Sequence, residues 1–187
     1  TEVAADYLDV LVDPRFEEAL CVLTREGPPT LLVGNEGLGY ARLCPLAVNL
    51  VLYQTFSLLG QPRDQLQPLR RLLRTAGIGA GSRVGVVGWK YFARGEVPRP
   101  AQASDLPAFI LAAVEEAASD GSLRNAAALF MHPSDGLRAH NSAQQLARFE
   151  YAATLASQMV RDAIFNLRVG MTEFDAVRQM RWSGWPL

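Results

Sequence analysis

The residues of this chain able to do chemistry are few and scattered. His132 and His140 are its only histidines and stand eight positions apart on either side of a loop, without acids at ligand spacing. A two-metal hydrolase needs about five carboxylate or imidazole ligands converging on ions roughly 3.5–4 Å apart. Both histidines therefore read as surface or junction residues rather than metal ligands. No serine, cysteine or lysine stands in a nucleophile motif. "GSRVGVVG" lacks the glycine order of a phosphate cradle, and "GNEGLG" (34–39) reads as a loop. Cys21 and Cys44 have no metal-ligand spacing, and Cys21, inside "ALCVLT", reads as a buried free thiol. One aromatic cluster stands out: Trp89-Lys90-Tyr91 follows a valine-rich strand, and aromatic groups at a strand's carboxyl end often line a crevice. Trp89 is thus a candidate contact residue.

The elements that must position these residues come from periodicity. Ala19–Thr24 and Thr30–Val33 predict a β-hairpin, apolar enough to be covered on both faces. Residues 47–56 predict a third strand. "PRDQLQPLRRLLRTAG" predicts an amphipathic helix that starts near Pro68 and is capped at Gly77. "SRVGVVG" predicts a fourth, central strand. "SDLPAFILAAVEEAASDG" predicts a helix capped by Ser104 or Asp105 and ended at Gly121, and "RNAAALFMHP" a last strand. A helix between strands indicates an α/β layer architecture with a crossover.

From Ser142 a long helix is expected, with Gln145 at capping-box spacing and apolar residues recurring every three or four positions to Leu167. Gly170 stops it, and Thr172 with Asp175 caps the next helix, which carries Phe174, Val177 and Met180. Trp182 and Trp185 read as core or interface anchors. Two helices with apolar faces need something to pack on.

At 187 residues, 49% apolar and 20% charged, the composition is globular. The net charge of −1 is spread along the chain, which argues against nucleic-acid binding. Seventeen arginines against the single Lys90 read as genomic composition bias, so no single arginine is marked as special. No signal peptide and no membrane-spanning run is visible, so a soluble, cytoplasmic protein is expected, with no membrane partner.

"LRAHNSAQQLARFEYAA", followed by "VGMTEFDAV", resembles the junction between the two domains of the creatinase/prolidase/Xaa-Pro aminopeptidase family. The matching residues are Leu137, Arg138, Ser142, Leu146, Gly170, Met171, Thr172 and Glu173. "YLDVLVDPRFEEALCVLT" with "PPTLLV", and "LRRLLRTAGIGAGSRVGVVG", are similar to upstream pieces of the family, in the same order. Asn141 stands where the family usually has Lys, and Gln144-Gln145 where acids are common. The resemblance implies a mixed-sheet, ribonuclease H-like N-terminal α/β domain over 1–141, short of its first helix and strand. Residues 142–187 would then be the first helices of a truncated "pita-bread" catalytic domain.

It also implies a parent hydrolase of the aminopeptidase P or prolidase kind, cleaving before or at proline with two divalent metal ions of the manganese or cobalt type. The ligands, two Asp, a His and two Glu, belong to a later part of that domain. This chain would be non-catalytic, with roles in packing, homodimer formation and shaping the active-site rim; peptide substrate would bind only the complete parent. On the segment that in the family reaches a partner's active site, residues 7–16 here, Arg15 is the candidate for a substrate carboxylate. Trp89 is the second rim candidate. Two rival readings are a peptidase-like interaction module without catalysis and a fragment of a metal-free creatinase-type amidinohydrolase.

Overall fold

The computed structural model describes residues 18–180. The chain divides into two compact units, meeting in sequence between Ala139 and His140.

The first unit is a mixed α/β layer structure. Strand β1 (Ala19–Val22) pairs antiparallel with β2 (Thr30–Val33), Ala19 opposite Val33 and Val22 opposite Thr30. β2 pairs on its other edge, in parallel, with β3 (Asn49–Leu52), Thr30 opposite Asn49. The sheet order is β1-β2-β3. All four residues of β2 are buried, whereas β1 buries only Val22 fully, so the two-sided cover expected of both strands belongs to the central strand alone. The alternation of a strand sends Leu32 to one side and Leu31 and Val33 to the other, where they meet separate apolar clusters.

On the Leu31/Val33 side the cover is a short helix, α1 (Gly37–Ala41), with Ala41 against them. It begins within the stretch "GNEGLG" (34–39), which the sequence reads as a loop, and runs two residues beyond it. Two of its five residues are glycines, which have poor helix propensity, and its backbone begins by folding onto the preceding turn, Gly37 N donating to Gly34 O at 3.2 Å. Gly34 is constrained here: a side chain would press on the Phe56 carbonyl, 2.6 Å from the position of a Cβ.

On the Leu32 side lie α2 (Leu69–Thr75) and α3 (Ala108–Ala118). Leu69 and Leu73 of α2 meet Ile110, Val114, Ala117 and Ala118 of α3 over Leu32, Tyr53 and Phe56. The small Ala117, fully buried, belongs to the same cluster as these larger side chains. α2 is shorter than the apolar stripe suggests. Pro68, extended at ψ 126°, occupies the position before it, and Leu66, outside the helix, is 57% exposed. Gly77 takes a positive φ of 102° just after α2, as a C-terminal cap requires.

β4 (Arg83–Val86) pairs in parallel with β5 (Ser122–Asn125), and α3 is the crossover between them. The two form their own two-stranded sheet, so β4 is not the central strand its apolar composition predicts. The last strand also differs from expectation. β5 is the polar run "SLRN", and the alanine-rich stretch after it forms a short helix, α4 (Ala128–Met131). Alanine favours helix, and the pairing partner β4, rather than local propensity, makes Ser122–Asn125 a strand. A 3-10 turn follows at Leu137–Ala139.

The second unit is a helical pair. α5 (Ala143–Asn166) is capped by Ser142, with Gln145 closing a full capping box. α6 (Glu173–Gln179) is capped in the same way by Thr172 and Asp175. Gly170, at φ 92°, makes the turn between them. Apolar side chains on both helices are exposed, among them Phe149, Val160, Ile164, Phe165, Phe174 and Val177. Among the described residues, no helix is long and apolar enough to cross a membrane.

Candidate functional site

The carboxyl ends of the parallel pair β4/β5 present the aromatic cluster picked out in the sequence. After Val86 the chain passes through Gly88 and turns outward at Trp89. The Trp89 and Lys90 amides both donate to Asp105 Oδ2, at 2.6 and 3.0 Å. Asp105 was expected to cap α3. Instead Pro107 occupies the cap position, without a side-chain bond, and the carboxylate reaches back across to the β4 loop. Ser104, the other expected cap, makes a tight local turn, its hydroxyl accepting from Leu106 N at 3.2 Å.

Asn125, at the end of β5, holds the far side of this loop region. Its side-chain amide donates to Ala103 O at 2.6 Å, its backbone amide donates to Ala101 O at 2.9 Å, and its side-chain oxygen accepts from Ala127 N at 2.7 Å. The result is a braced surface on which the Trp89 side of the cluster is 58% exposed. Tyr91 turns its ring edge-to-face against His132, centroids 5.7 Å apart.

His132 has chemical-looking company. Its Nδ1 lies 3.2 Å from Ser134 Oγ and 3.3 Å from Asp135 Oδ2, and it accepts the Asp135 amide at 3.3 Å. These are a triad's residue types without its geometry. In a serine hydrolase the hydroxyl and the carboxylate engage opposite ring nitrogens; here all partners converge on Nδ1, so Asp135 cannot orient the ring for Ser134. The arrangement is a local turn that a histidine ring happens to close.

A second polar cluster sits at the carboxyl ends of β2 and β3. Gln54, 2% exposed, donates to Asn35 Oδ1 at 3.3 Å and to Asp64 Oδ1 at 3.1 Å, while its own oxygen accepts from Gln65 N at 2.6 Å. Asn35 donates onward to Pro62 O at 3.0 Å. The hydrogen bond from Gln54 is the main influence that lowers the Asp64 carboxyl below its ordinary value, with its own backbone amide adding to it. Gln54 has its amide and its oxygen both satisfied, so its side chain ties the segment 62–65 to the sheet rather than addressing a ligand.

Arg15, the other rim candidate, lies outside the described residues, as do Trp182 and Trp185. Among the described residues, no three His, Cys, Asp or Glu side chains are grouped to hold a metal. The two divalent ions implied by the resemblance thus find no donor set there. Cys21 and Cys44 are not disulfide-bonded and are partly buried, both packed on the Leu31/Val33/Ala41 cluster. Burial pushes the Cys21 thiol up to about 11, and the neighbouring Cys44 adds to the effect. Two shallow depressions lie on the surface of the described residues. One, of 440 Å³, lies between the hairpin tip at Gly27 and the end of α2 at Gly77; the other, of 560 Å³, runs along the polar face of α5 between Glu150 and Arg161. Neither has a buried titratable group in its wall.

Sequence reasoning singled out Trp89 and gave Asp105 only the role of a helix cap; it foresaw neither the Asp105 bonds to the Trp89 loop nor the Gln54 cluster. The only advance signals were a glycine directly before the aromatic cluster and an Asp-Leu-Pro that doubles as a helix start. No protein-family model and no curated protein matches the sequence.

Proposed function

We propose that this chain is the N-terminal α/β domain and the first catalytic-domain helices of a creatinase/prolidase-type protein, the complete parent being a metal-dependent Xaa-Pro aminopeptidase or dipeptidase. On this reading residues 1–141 are the mixed-sheet, ribonuclease H-like domain and 142–187 open the pita-bread domain. The chain itself is non-catalytic: it packs, dimerises and supplies rim residues, Trp89 and Arg15, to an active site whose two manganese- or cobalt-type ions are ligated elsewhere. The reading locates the protein in the cytoplasm.

The observation that supports this best is the tail. Two fully capped helices, joined through Gly170, carry an apolar series from Phe149 to Val177 that stands exposed. That is the pattern of helices built to be covered by further polypeptide or a second subunit. The junction residues Gln145 and Asp175 both serve as capping partners, so Gln145, where the family often has an acid, keeps the structural duty of that position. This weakens the argument that the junction has drifted towards an interaction module.

The test has two arms. The open reading frame around this sequence is translated and assayed with manganese or cobalt against an Xaa-Pro peptide; hydrolysis that chelator abolishes is expected, from a sequence that supplies two Asp, a His and two Glu after residue 187. Separately, the 187-residue chain is run by size exclusion with light scattering and an apolar dye. A dimer or strong dye binding is expected; a dye-silent monomer together with a ligand-free reading frame overturns the proposal.

A further inference from the structure

We infer that Asp105 is the positioning residue of the Trp89 rim: it holds the aromatic loop in its outward-facing conformation before anything binds. The inference rests on the rim reading for its purpose, while the geometry stands without it.

Three observations carry it. Asp105 Oδ2 accepts two successive amides, those of Trp89 and Lys90, which fixes the direction in which the chain leaves β4. A hydrogen bond to a carboxylate is roughly twice as strong as a neutral one, and here two share one oxygen. Second, the carboxylate lies hard against the backbone. A Cβ on Gly88 would fall on Asp105 Oδ1 and within 2.7 Å of its Cγ, so only glycine lets the two segments approach so closely. Oδ1 itself is buried and has no hydrogen-bond partner, so the carboxylate's hydrogen bonds go to the loop. Third, the segment that carries Asp105 is itself tied to β5 through the Asn125 bonds to Ala101 and Ala103. The brace thus runs from β5 through residues 101–105 to the loop after β4.

A side chain near a helix start usually caps that helix. Asp105 leaves α3 without a side-chain cap and spends both its hydrogen bonds on the loop. The consequence is preorganisation. An indole that is 58% exposed on an unbraced loop would lose conformational freedom on contact; braced, it meets a partner with that ordering already done.

The experiment uses the 187-residue chain with Trp182→Phe and Trp185→Phe, so that emission reports Trp89 alone. Amide exchange at Trp89 and Lys90 is followed by NMR in Asp105→Ala and Asp105→Asn, with the amides of β2 as the internal standard. In Asp105→Ala, exchange at these two amides accelerates by on the order of tenfold and acrylamide quenching of the indole rises, while β2 is unmoved. Asp105→Asn keeps a carbonyl oxygen in place and stays within about threefold of the parent chain. Unchanged exchange in Asp105→Ala, or equal acceleration in both variants, overturns the inference. Should Asp105→Ala not fold, Gly88→Ala decides: it retains the carboxylate but drives it off the loop, and protected Trp89 and Lys90 amides there would overturn the inference equally. None of these readouts involves metal or peptide, so a failed peptidase reading leaves them intact.

Discussion

Ser142 and Gln145 cap each other. The Ser142 amide donates to Gln145 Oε1 at 2.7 Å, and the Gln145 amide donates to Ser142 Oγ at 3.2 Å. Two backbone amides that α5 cannot satisfy internally are thereby satisfied at its start. Ser142→Ala is expected to destabilise the helical unit by about 1 kcal/mol. Gln145→Ala costs less, and the double variant loses less than the two together because each bond helps orient the other. Thermal melts followed at 222 nm check this; strict additivity would show that the reciprocal bonds are not coupled.

Gln54 is a buried amide whose hydrogen-bonding groups are used. Gln54→Leu, close in volume, leaves the Gln65 amide and the Asn35 oxygen without that partner and is expected to cost about 1–3 kcal/mol in urea unfolding. It also changes the acid limb. The Asp64 carboxyl is held below 3.8 in the folded protein, chiefly by Gln54. That contribution is present above the unfolded value and is lost as pH falls through the folded one. Stability profiles below about pH 4 should therefore be flatter for Gln54→Leu than for the parent chain; parallel profiles would remove Gln54 as the cause.

Burial raises the Cys21 thiol from 9.0 to about 11. Thiolate is the reacting species, so Cys21 in the folded chain should react with a disulfide reagent on the order of 100-fold more slowly at pH 7 than in the unfolded chain. Its rate should climb about tenfold per pH unit between 7 and 9. Mass spectrometry of a Cys44→Ala variant follows the site directly. Fast labelling at pH 7 under native conditions would contradict the burial.

How legible all this was in the sequence depended on how local the cause is. The starts of α5 and α6 are set by residues three apart, and Ser142/Gln145 and Thr172/Asp175 name them without any tertiary information. The hairpin is nearly as local, with only "LTREGPP" between its strands. β4 and β5 are different. Their strand character comes from each other across the whole of α3, so "SLRN" carries no β-branched residue and the alanines after it point to the wrong segment. Asp105 shows the same limit at a single residue. Its position before Pro107 and α3 suits a cap, and only the approach of Gly88 diverts it. Trp89 was singled out because an aromatic pair directly follows the valine-rich strand, a local pattern; the residue that braces its loop lies sixteen positions on and carries no such signal.

The parallel pairing of β4 with β5 also has a consequence in time. β1 and β2 can close as soon as both exist, within microseconds, because a short turn joins them. β4 must wait for β5, whose first residue, Ser122, comes well after Val86. At about 5–20 residues per second on the ribosome, that interval lasts roughly 2–7 s. During it the emerging β4 offers unpaired backbone to any neighbour, a stretch open to pairing with another chain until Ser122–Asn125 arrives.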